Sequence, residues 1–301
     1  MRYKRSFLFV LILVFCSCRK NPEASPVISE PSGENAMMYV RTQVAFGPRP
    51  SGSGQLQKCR EFIEGELRSF GYAVEDDAFT TETPYGSKQI HNLIARMGSS
   101  DKGVIVLASH YETKLMEGKN FVGANDPGSS AALLLELARV LAAKEDPPDC
   151  WFLFTDGEEA FVEWSTFDST YGSRHLAKRW KLQGVAEKIK ALILIDMIGD
   201  RDLHVSYETN STPWLMDLVW DTAGKMGFKS ILSLYKNSIQ DDHVPFLDAG
   251  IPCVDIIDLS YGPENSYWHT EEDTPDKVSP QSMEAVGRLI LGMLPAIQKR
   301  R

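Results

Sequence analysis

The sequence predicts an α/β fold: a three-layer α/β/α sandwich with a central mixed, mainly parallel sheet. Five short apolar runs look like strands, and their continuous apolar character is typical of strands that are buried on both faces of a sheet. Segments with helical apolar spacing alternate with these runs, which favours one layered domain. The five runs are residues 92–95, 104–109, 151–155, 191–196 and 253–257.

Helices are predicted between the strands from apolar spacing and composition. Residues 55–70 place their large apolar side chains on one helical face, and Gly71 follows as a helix stop. Residues 129–144 are rich in Ala and Leu, which are strong helix formers. Two further helices are expected over residues 214–226 and 281–299.

The chain has 301 residues, of which 43% are hydrophobic and 24% charged. These values are ordinary for a globular protein with a sizeable core. We find no internal repeat and no convincing linker after residue 36, so residues 37–301 are expected to form one catalytic domain. The formal charge of −9 argues against a nucleic-acid partner.

The N-terminal residues are expected to lie outside the fold. Residues 1–17 read as a signal peptide, because basic MRYKR precedes an apolar stretch too short to span a membrane. Ser17 before Cys18 resembles a bacterial lipobox, which predicts a lipid anchor at Cys18 and an exported protein of the bacterial cell envelope, periplasmic or on the outer surface. An ordinary cleaved signal is the alternative. Residues 18–36 are rich in Pro, Ser and Glu and predict a disordered tether.

Three cysteines follow the predicted signal, at positions 59, 150 and 253. Their odd number and wide spacing give neither a disulfide framework nor a cysteine zinc motif. At most one pair of Cys59, Cys150 and Cys253 could bridge, and the sequence does not choose between the pairs.

Polar residues follow three of the predicted strands. His110 directly follows the second apolar run, and Asp196 closes the fourth. Glu158 and Glu159 follow the third, where the simplest interpretation would be a solvated surface turn. In open α/β sheets, however, ligands bind beyond the carboxyl ends of the strands. The sequence therefore predicts a crevice that collects these four side chains.

The candidate donors suit a metal site. Zinc binds His nitrogen and carboxylate oxygen, usually with four ligands, one of which is replaced by substrate. His269 lies in the polar loop YWHTEEDT, whereas His110 suits a core histidine nearly as well as a metal ligand. Asp126 precedes an Ala/Leu helix, where it could cap the helix, bind a metal, or do both. Asp196 at a buried strand end needs a partner.

Longer motifs give a family resemblance. GANDPGSSAALLLELARVL, TDGEEAF, LIDMIGD and WHTEEDT occur in the order and spacing of the zinc-dependent aminopeptidase superfamily. The chain most resembles its glutaminyl-peptide cyclotransferases (glutaminyl cyclases), through FGPRPSGS, HYETK, DGEEAFVEWSTFDSTYGSRHLA, QDDHVPFLDAGIP and YWHT. The resemblance covers about residues 36–295. It implies a zinc aminopeptidase-like fold that converts N-terminal glutamine of peptides and proteins to pyroglutamate and releases ammonia.

The resemblance also implies residue roles. Asp126, Glu159 and His269 match the ligands of one zinc ion. Glu158 matches the general acid/base, and a glutamate in an apolar, aromatic pocket is expected to have a raised pKa that suits proton transfer near neutrality.

Four further positions match the family pattern around that glutamate. Asp196 and Asp241 match residues that hydrogen-bond around the general acid/base and the substrate. Trp164 and Trp268 match aromatic residues that line the substrate pocket.

Two alternatives remain open. A second metal ion held by His110, Asp126 and Asp196 would make the protein a two-metal aminopeptidase, with Glu158 as the base for a bridging water. The chain could also be a non-catalytic, lipid-anchored peptide-binding domain that kept the fold.

Two departures from the pattern affect the interpretation. Glu112 stands where both enzyme groups usually carry Asp, and its longer side chain could disturb the orientation of His110. Asp255 stands where animal cyclases carry a histidine, and an ionised Asp cannot donate a hydrogen bond. The roles of Glu112 and Asp255 are therefore left unassigned.

Overall fold

The computed structural model describes residues 30–98 and 103–300. The predicted signal peptide (1–17), the lipobox Cys18 and most of the predicted tether lie outside the described residues. The first helix, α1 (Gly33–Ala45), begins inside the predicted tether range, with Ser32 as its N-cap. Among the described helices, none combines the length and apolar character needed to span a bilayer.

All five predicted strands lie in one six-stranded sheet. Its order is β1-β2-β4-β3-β5-β8. The pairs β1–β2 and β2–β4 are antiparallel, and β4–β3, β3–β5 and β5–β8 are parallel, so the sheet is mixed as predicted. A short parallel pair, β6–β7, stands apart. The strands are β1 (Ala73–Thr83), β2 (Gly86–Arg96), β3 (Val104–His110), β4 (Cys150–Thr155), β5 (Ile189–Asp196), β6 (Val205–Glu208), β7 (Leu232–Asn237) and β8 (Cys253–Ile257).

Helices cover both faces of the sheet, and the alternation of side chains along each strand divides the core between them. In β3, Ile105 and Leu107 pack with one set of helices, whereas Val106 and Ala108 pack with the other. The first face carries α1, α2, α3, α5 and α7, and the second carries α4 and α6. This confirms the three-layer sandwich. The other helices are α2 (Gly54–Ser69), α3 (Gly128–Ala142), α4 (Tyr171–Leu182), α5 (Pro213–Met226), α6 (His243–Asp248) and α7 (Pro280–Lys299).

The helices α4 and α6 pack side by side on the second face. Trp180 of α4 is buried, and its ring centroid lies 5.4 Å from that of Phe246 in α6. The Nζ of Lys181 donates to the carbonyl oxygen of Asp248 at 3.1 Å. Both helices have one end near the carboxyl end of β4, so they lie side by side next to the candidate site.

The cysteines Cys59, Cys150 and Cys253 are buried free thiols in the structure. The question left open by the sequence is thus answered for these three: none of them pairs with another. They act as small apolar side chains in the two cores.

Candidate active site

The predicted crevice lies at the carboxyl ends of the parallel strands. His110 is the last residue of β3 and Asp196 is the last residue of β5. Glu158 and Glu159 follow β4 after a turn, and all four side chains are buried. The pair of adjacent glutamates is therefore not a solvated surface turn, and the topology brings these residues together as the strand pattern predicts.

Three predicted metal ligands meet at one ring nitrogen. The Nε2 of His269 lies 2.8 Å from Oε1 of Glu159 and 3.2 Å from Oδ2 of Asp126. The other carboxylate oxygen of Glu159 accepts a hydrogen bond from Nζ of Lys114 at 3.1 Å. These contacts join three segments that are far apart in the sequence.

The backbone of His269 is unusual. Its φ of 53° lies in the left-handed region, which few residues other than glycine adopt. The imidazole is held between aromatic neighbours, with its centroid 4.3 Å from Trp268 and 6.0 Å from Phe121. A strained backbone that aims a side chain at two carboxylates is typical of a functional position.

Asp126 does not cap the helix that follows it. The N-cap of α3 is Pro127, and no side chain caps this helix. The carboxylate of Asp126 instead lies beside His269 and also 3.3 Å from Nε2 of His110. Its backbone N–H donates to the buried carboxylate of Asp273 at 3.1 Å, which fixes the loop. The metal-facing interpretation of Asp126 thus agrees with its geometry, and the capping interpretation does not.

His110 stands among several carboxylates. Its Nε2 lies 3.2 Å from Oδ1 of Asp196 and 3.3 Å from Oδ1 of Asp126, while its Nδ1 lies 3.9 Å from Oε2 of Glu158. Burial opposes the charged imidazole, but Glu158, Asp126 and Asp196 together raise the pKa of His110 well above its usual value. The buried Asp196 therefore has the partner that its position requires.

Glu112 holds the two adjacent glutamates. Its Oε1 accepts from the backbone N–H of Glu158 at 2.6 Å and from that of Glu159 at 3.1 Å. Its Oε2 lies 3.8 Å from Nδ1 of His110, beyond hydrogen-bond distance, and that ring nitrogen has no hydrogen-bond partner in residues 30–98 and 103–300. The longer side chain thus orients the glutamate turn and leaves His110 without a hydrogen bond on that side.

Glu158 lies in a buried and strongly acidic environment. Burial raises the pKa of its carboxyl well above the ordinary value; His110 opposes the shift, and Asp241 and Glu159 add to it. A raised pKa makes this carboxyl a stronger proton acceptor than an ordinary glutamate, which suits a general acid/base.

Asp241 and Asp255 belong to a second buried cluster beside Glu158. The pKa values of both carboxyls are raised well above the ordinary value, mainly by burial. His243 lies between this cluster and Glu208, with Nε2 3.3 Å from Oε2 of Glu208 and Nδ1 3.8 Å from Oδ2 of Asp255. Asp255 thus lies behind Asp241, next to a histidine that the chain supplies from α6.

The two predicted pocket tryptophans are partly open to solvent. Trp164 and Trp268 are each 40% exposed, whereas the carboxylates behind them are buried. Trp268 stacks on His269, and Trp164 lines the same cavity as Asp241. They therefore stand at the entrance of the crevice.

The donor set fits a zinc ion. Ligand atoms about 2.0–2.2 Å from one ion lie roughly 3–4 Å from each other. The ring nitrogen of His269 is 2.8 and 3.2 Å from the oxygens of Glu159 and Asp126, close to that range. Two carboxylates and one imidazole also leave a coordination position for substrate. His110, Asp126 and Asp196 form a second group with donor atoms near each other.

Sequence reasoning missed supporting residues. Lys114 pairs with Glu159, and Asp273 accepts the backbone N–H groups of Asn125 and Asp126. Lys114 lies in the motif HYETK and Asp273 in WHTEEDT, so these motifs could have pointed to both residues. Glu208, which contacts His243, lies in no motif.

The fold and the site define a member of a metallopeptidase-like class: the profile of peptidase family M28 matches residues 92–294, and the chain belongs to this family. The chain is 34% identical over 253 residues to glutaminyl-peptide cyclotransferase of Drosophila melanogaster, covering 75% of this chain and 70% of that protein. This relative places the chain with the glutaminyl-peptide cyclotransferases, which confirms the resemblance found in the motifs.

Solved structures agree. A glutaminyl cyclase from an Acidobacteriales bacterium is 41% identical, with a TM-score of 0.87 over 93% of this chain and 99% of that chain. The glutaminyl cyclase of Porphyromonas gingivalis is 29% identical, with a TM-score of 0.80 over 88% of this chain and 98% of that chain.

Proposed function

We propose that this protein is an enzyme that converts the N-terminal glutamine of peptides or proteins to pyroglutamate and releases ammonia. The observation that carries the proposal is the separation of two roles in one turn. Glu159 joins Asp126 and His269 in one metal-suited group, while Glu158 lies on the other side with His110 and Glu112 and has a raised pKa. The names of the similar proteins support the same activity.

Asp126, Glu159 and His269 would hold one zinc ion, which when bound supplies a Lewis acid for the γ-carbonyl of the glutamine. Glu158 accepts a proton from the α-amine as its nitrogen bonds to the carbonyl carbon (Cδ) of the glutamine side-chain amide. The same proton passes to the amide nitrogen as the old C–N bond breaks, so that ammonia leaves. Because the nucleophile belongs to the substrate, positioning supplies much of the acceleration.

Other residues orient this transfer. Glu112 fixes the backbone of both glutamates, so their side chains diverge from a rigid turn. Asp241 adds to the raised pKa of Glu158, and Asp196 pairs with His110 at 3.2 Å. We assign to these two carboxyls the support of the glutamate and of the substrate amine. Trp164 and Trp268 at the entrance would enclose the glutamine side chain.

The two-metal aminopeptidase is the second candidate function, because His110, Asp126 and Asp196 form a second donor group. One feature disfavours it. A metal-binding histidine usually donates its other ring N–H to a carboxylate or carbonyl. Within the described residues, the carboxylate nearest to Nδ1 of His110 is that of Glu112, and at 3.8 Å it is beyond hydrogen-bond distance.

The test compares substrates on the mature domain. Gln-initiated peptides should release ammonia and gain a pyroglutamyl N-terminus, detected by mass spectrometry, and Glu158→Gln serves as the inactive control. Release of free amino acids from Leu-initiated peptides, with Gln peptides left uncyclised, would establish the aminopeptidase instead. One tightly bound zinc per chain is expected for the cyclase and two for the peptidase.

We also propose export and lipid anchoring at Cys18 in the bacterial cell envelope, from the pattern of residues 1–18. Cys18→Ser should move the protein from the membrane fraction to the soluble fraction. Retention of that variant in the membrane fraction would refute an anchor at this cysteine.

A further inference from the structure

A groove leads away from the candidate active site along the outer layer of helices. We name it the α4–α6 groove; it has a volume of ≈ 530 Å³. One end is lined by Trp164 and Asp241, and Asp241 lies near Glu158 of the crevice. Its lining includes Trp164, Arg174, Lys178, Lys181, Asp241 and Pro245.

Three cations line the α4 wall. Arg174, Lys178 and Lys181 are spaced by four and three residues, which places them on one face of the helix. Arg174 donates to the carbonyl oxygen of Ser169, and Lys181 donates to that of Asp248. In the described part of the chain, none of these three cations forms an ion pair. Their charges are therefore not held in ion pairs, in a chain whose formal charge is −9, and the groove also contains Asp241 and Asp248.

The opposite wall is mostly apolar. Val244, Pro245 and Ala249 line it, with the carboxylate of Asp248 at the far end. An apolar wall of this kind suits a peptide backbone and the apolar parts of its side chains better than a lone anion. The cations on α4 would attract carboxylates of that peptide. The groove thus combines apolar contact with positive charge.

The length of the groove matches a short peptide. From Arg174 to Lys181 a helix rises about 10 Å, which corresponds to about three residues of extended chain. A peptide whose first residue lies in the crevice would place its next three or four residues along this wall.

We propose that the α4–α6 groove binds the segment that follows the N-terminal glutamine of the substrate and selects acidic residues there. This inference rests on the proposed function and narrows its substrates to peptides with Asp or Glu in the first few positions after the glutamine. Lys178 is the main selecting residue, since its exposed ammonium makes no hydrogen bond or ion pair within the described residues.

The experiment measures kcat/KM for matched peptides that carry Glu, Gln or Lys at the third and fourth positions after an N-terminal glutamine. The acidic peptide should be preferred over the neutral one about two- to fivefold, the usual effect of an exposed ion pair. The preference should come from a lower KM for the acidic peptide, and it should shrink as the salt concentration rises. Lys178→Gln should abolish it, and Lys178→Glu should reverse it towards the Lys peptide.

Two controls isolate the groove. Lys225→Gln, at an exposed lysine of α5 on the other face of the sheet, should leave the preference unchanged. Glutaminyl-alanine amide, too short to reach Lys178, should be turned over equally by the wild type and Lys178→Gln. Equal kcat/KM for the three long peptides, with normal turnover of the short one, would overturn this inference and leave the proposed function intact. No turnover of any glutamine substrate would overturn the proposed function and this inference with it.

Discussion

The Nε2 of His269 lies 2.8 Å from Oε1 of Glu159, although the two residues are 110 positions apart in the chain. The same nitrogen lies 3.2 Å from Asp126. A half-buried imidazole shared between two carboxylates is the arrangement expected of a metal centre. These carboxylates raise the pKa of His269 to about 10, although partial burial opposes the charged form. Four predictions follow from this site and from the groups around it.

His269→Gln should release zinc. Removing one of three protein ligands should weaken zinc binding by more than the about 10- to 100-fold that is typical of groups that only support a ligand. Metal analysis after dialysis measures the effect. His175→Gln is the matched control, because His175 stacks on Phe79 with a centroid distance of 3.8 Å and belongs to none of the metal-suited groups found among the described residues. Full zinc content in His269→Gln would remove His269 from the ligand set.

The two adjacent glutamates should give opposite results. Glu158→Gln should abolish turnover while zinc stays bound, because the side chain that moves the proton is lost and the ligand set is intact. Glu159→Gln should lose zinc as well as activity. Turnover of glutamine peptides and zinc content are measured on both variants. Loss of zinc in Glu158→Gln, with retention in Glu159→Gln, would mean that the two roles are exchanged.

Glu112→Ala should destabilise the protein and inactivate it. The substitution leaves the backbone N–H groups of Glu158 and Glu159 buried without an acceptor, at about 1–3 kcal/mol each. Urea denaturation measures the loss of stability. Glu112→Gln is the matched control, since its amide oxygen can still accept both hydrogen bonds, and it should retain most of the stability. Equal stability of Glu112→Ala and the wild type would contradict this anchoring role.

The strands that could be predicted from the sequence are those that are deeply buried. Residues 104–109 and 191–196 lie in interior strands, and their continuous apolar character reflects burial on both faces. The strand Ala73–Thr83 escaped prediction because it lies at the sheet edge, where most of its side chains stay accessible to solvent. The six-residue helix α6 is too short to show a helical period.

Some residues of the candidate site could likewise be predicted from the sequence, and others could not. Asp126, Glu159 and His269 stand in recognisable motifs, so they could be named before the fold was known. The contacts of Asp273 with the loop at Asn125 join residues 148 positions apart, and no local pattern encodes such a pairing. Glu112 carried a clear signal as a departure from the family pattern, but its hydrogen bonds to the glutamate turn depend on the folded backbone.

Glu208→Gln should make the protein less stable at neutral pH and should reduce the dependence of stability on pH. The buried carboxylate of Glu208 accepts hydrogen bonds from the backbone N–H groups of Asn210 and Ile239 and from Ser211, and lies beside His243. Burial opposes the charge, but His243 and these donors lower the pKa of Glu208 from 4.5 to about 2.

The sign follows from this lowered pKa. The folded state stabilises the ionised carboxylate of Glu208 relative to the unfolded state. Its contribution to the free energy of unfolding is therefore fully present above about pH 4.5 and is lost as pH falls towards about 2. A shift of this size corresponds to about 3 kcal/mol. Urea denaturation should therefore show a wild type clearly more stable than Glu208→Gln at pH 7, and a gap that narrows towards about pH 3. Glu187→Gln, at an exposed glutamate, should stay within about 0.5 kcal/mol of the wild type throughout. A gap that is the same at both pH values would show that the charge on Glu208 does not stabilise the fold.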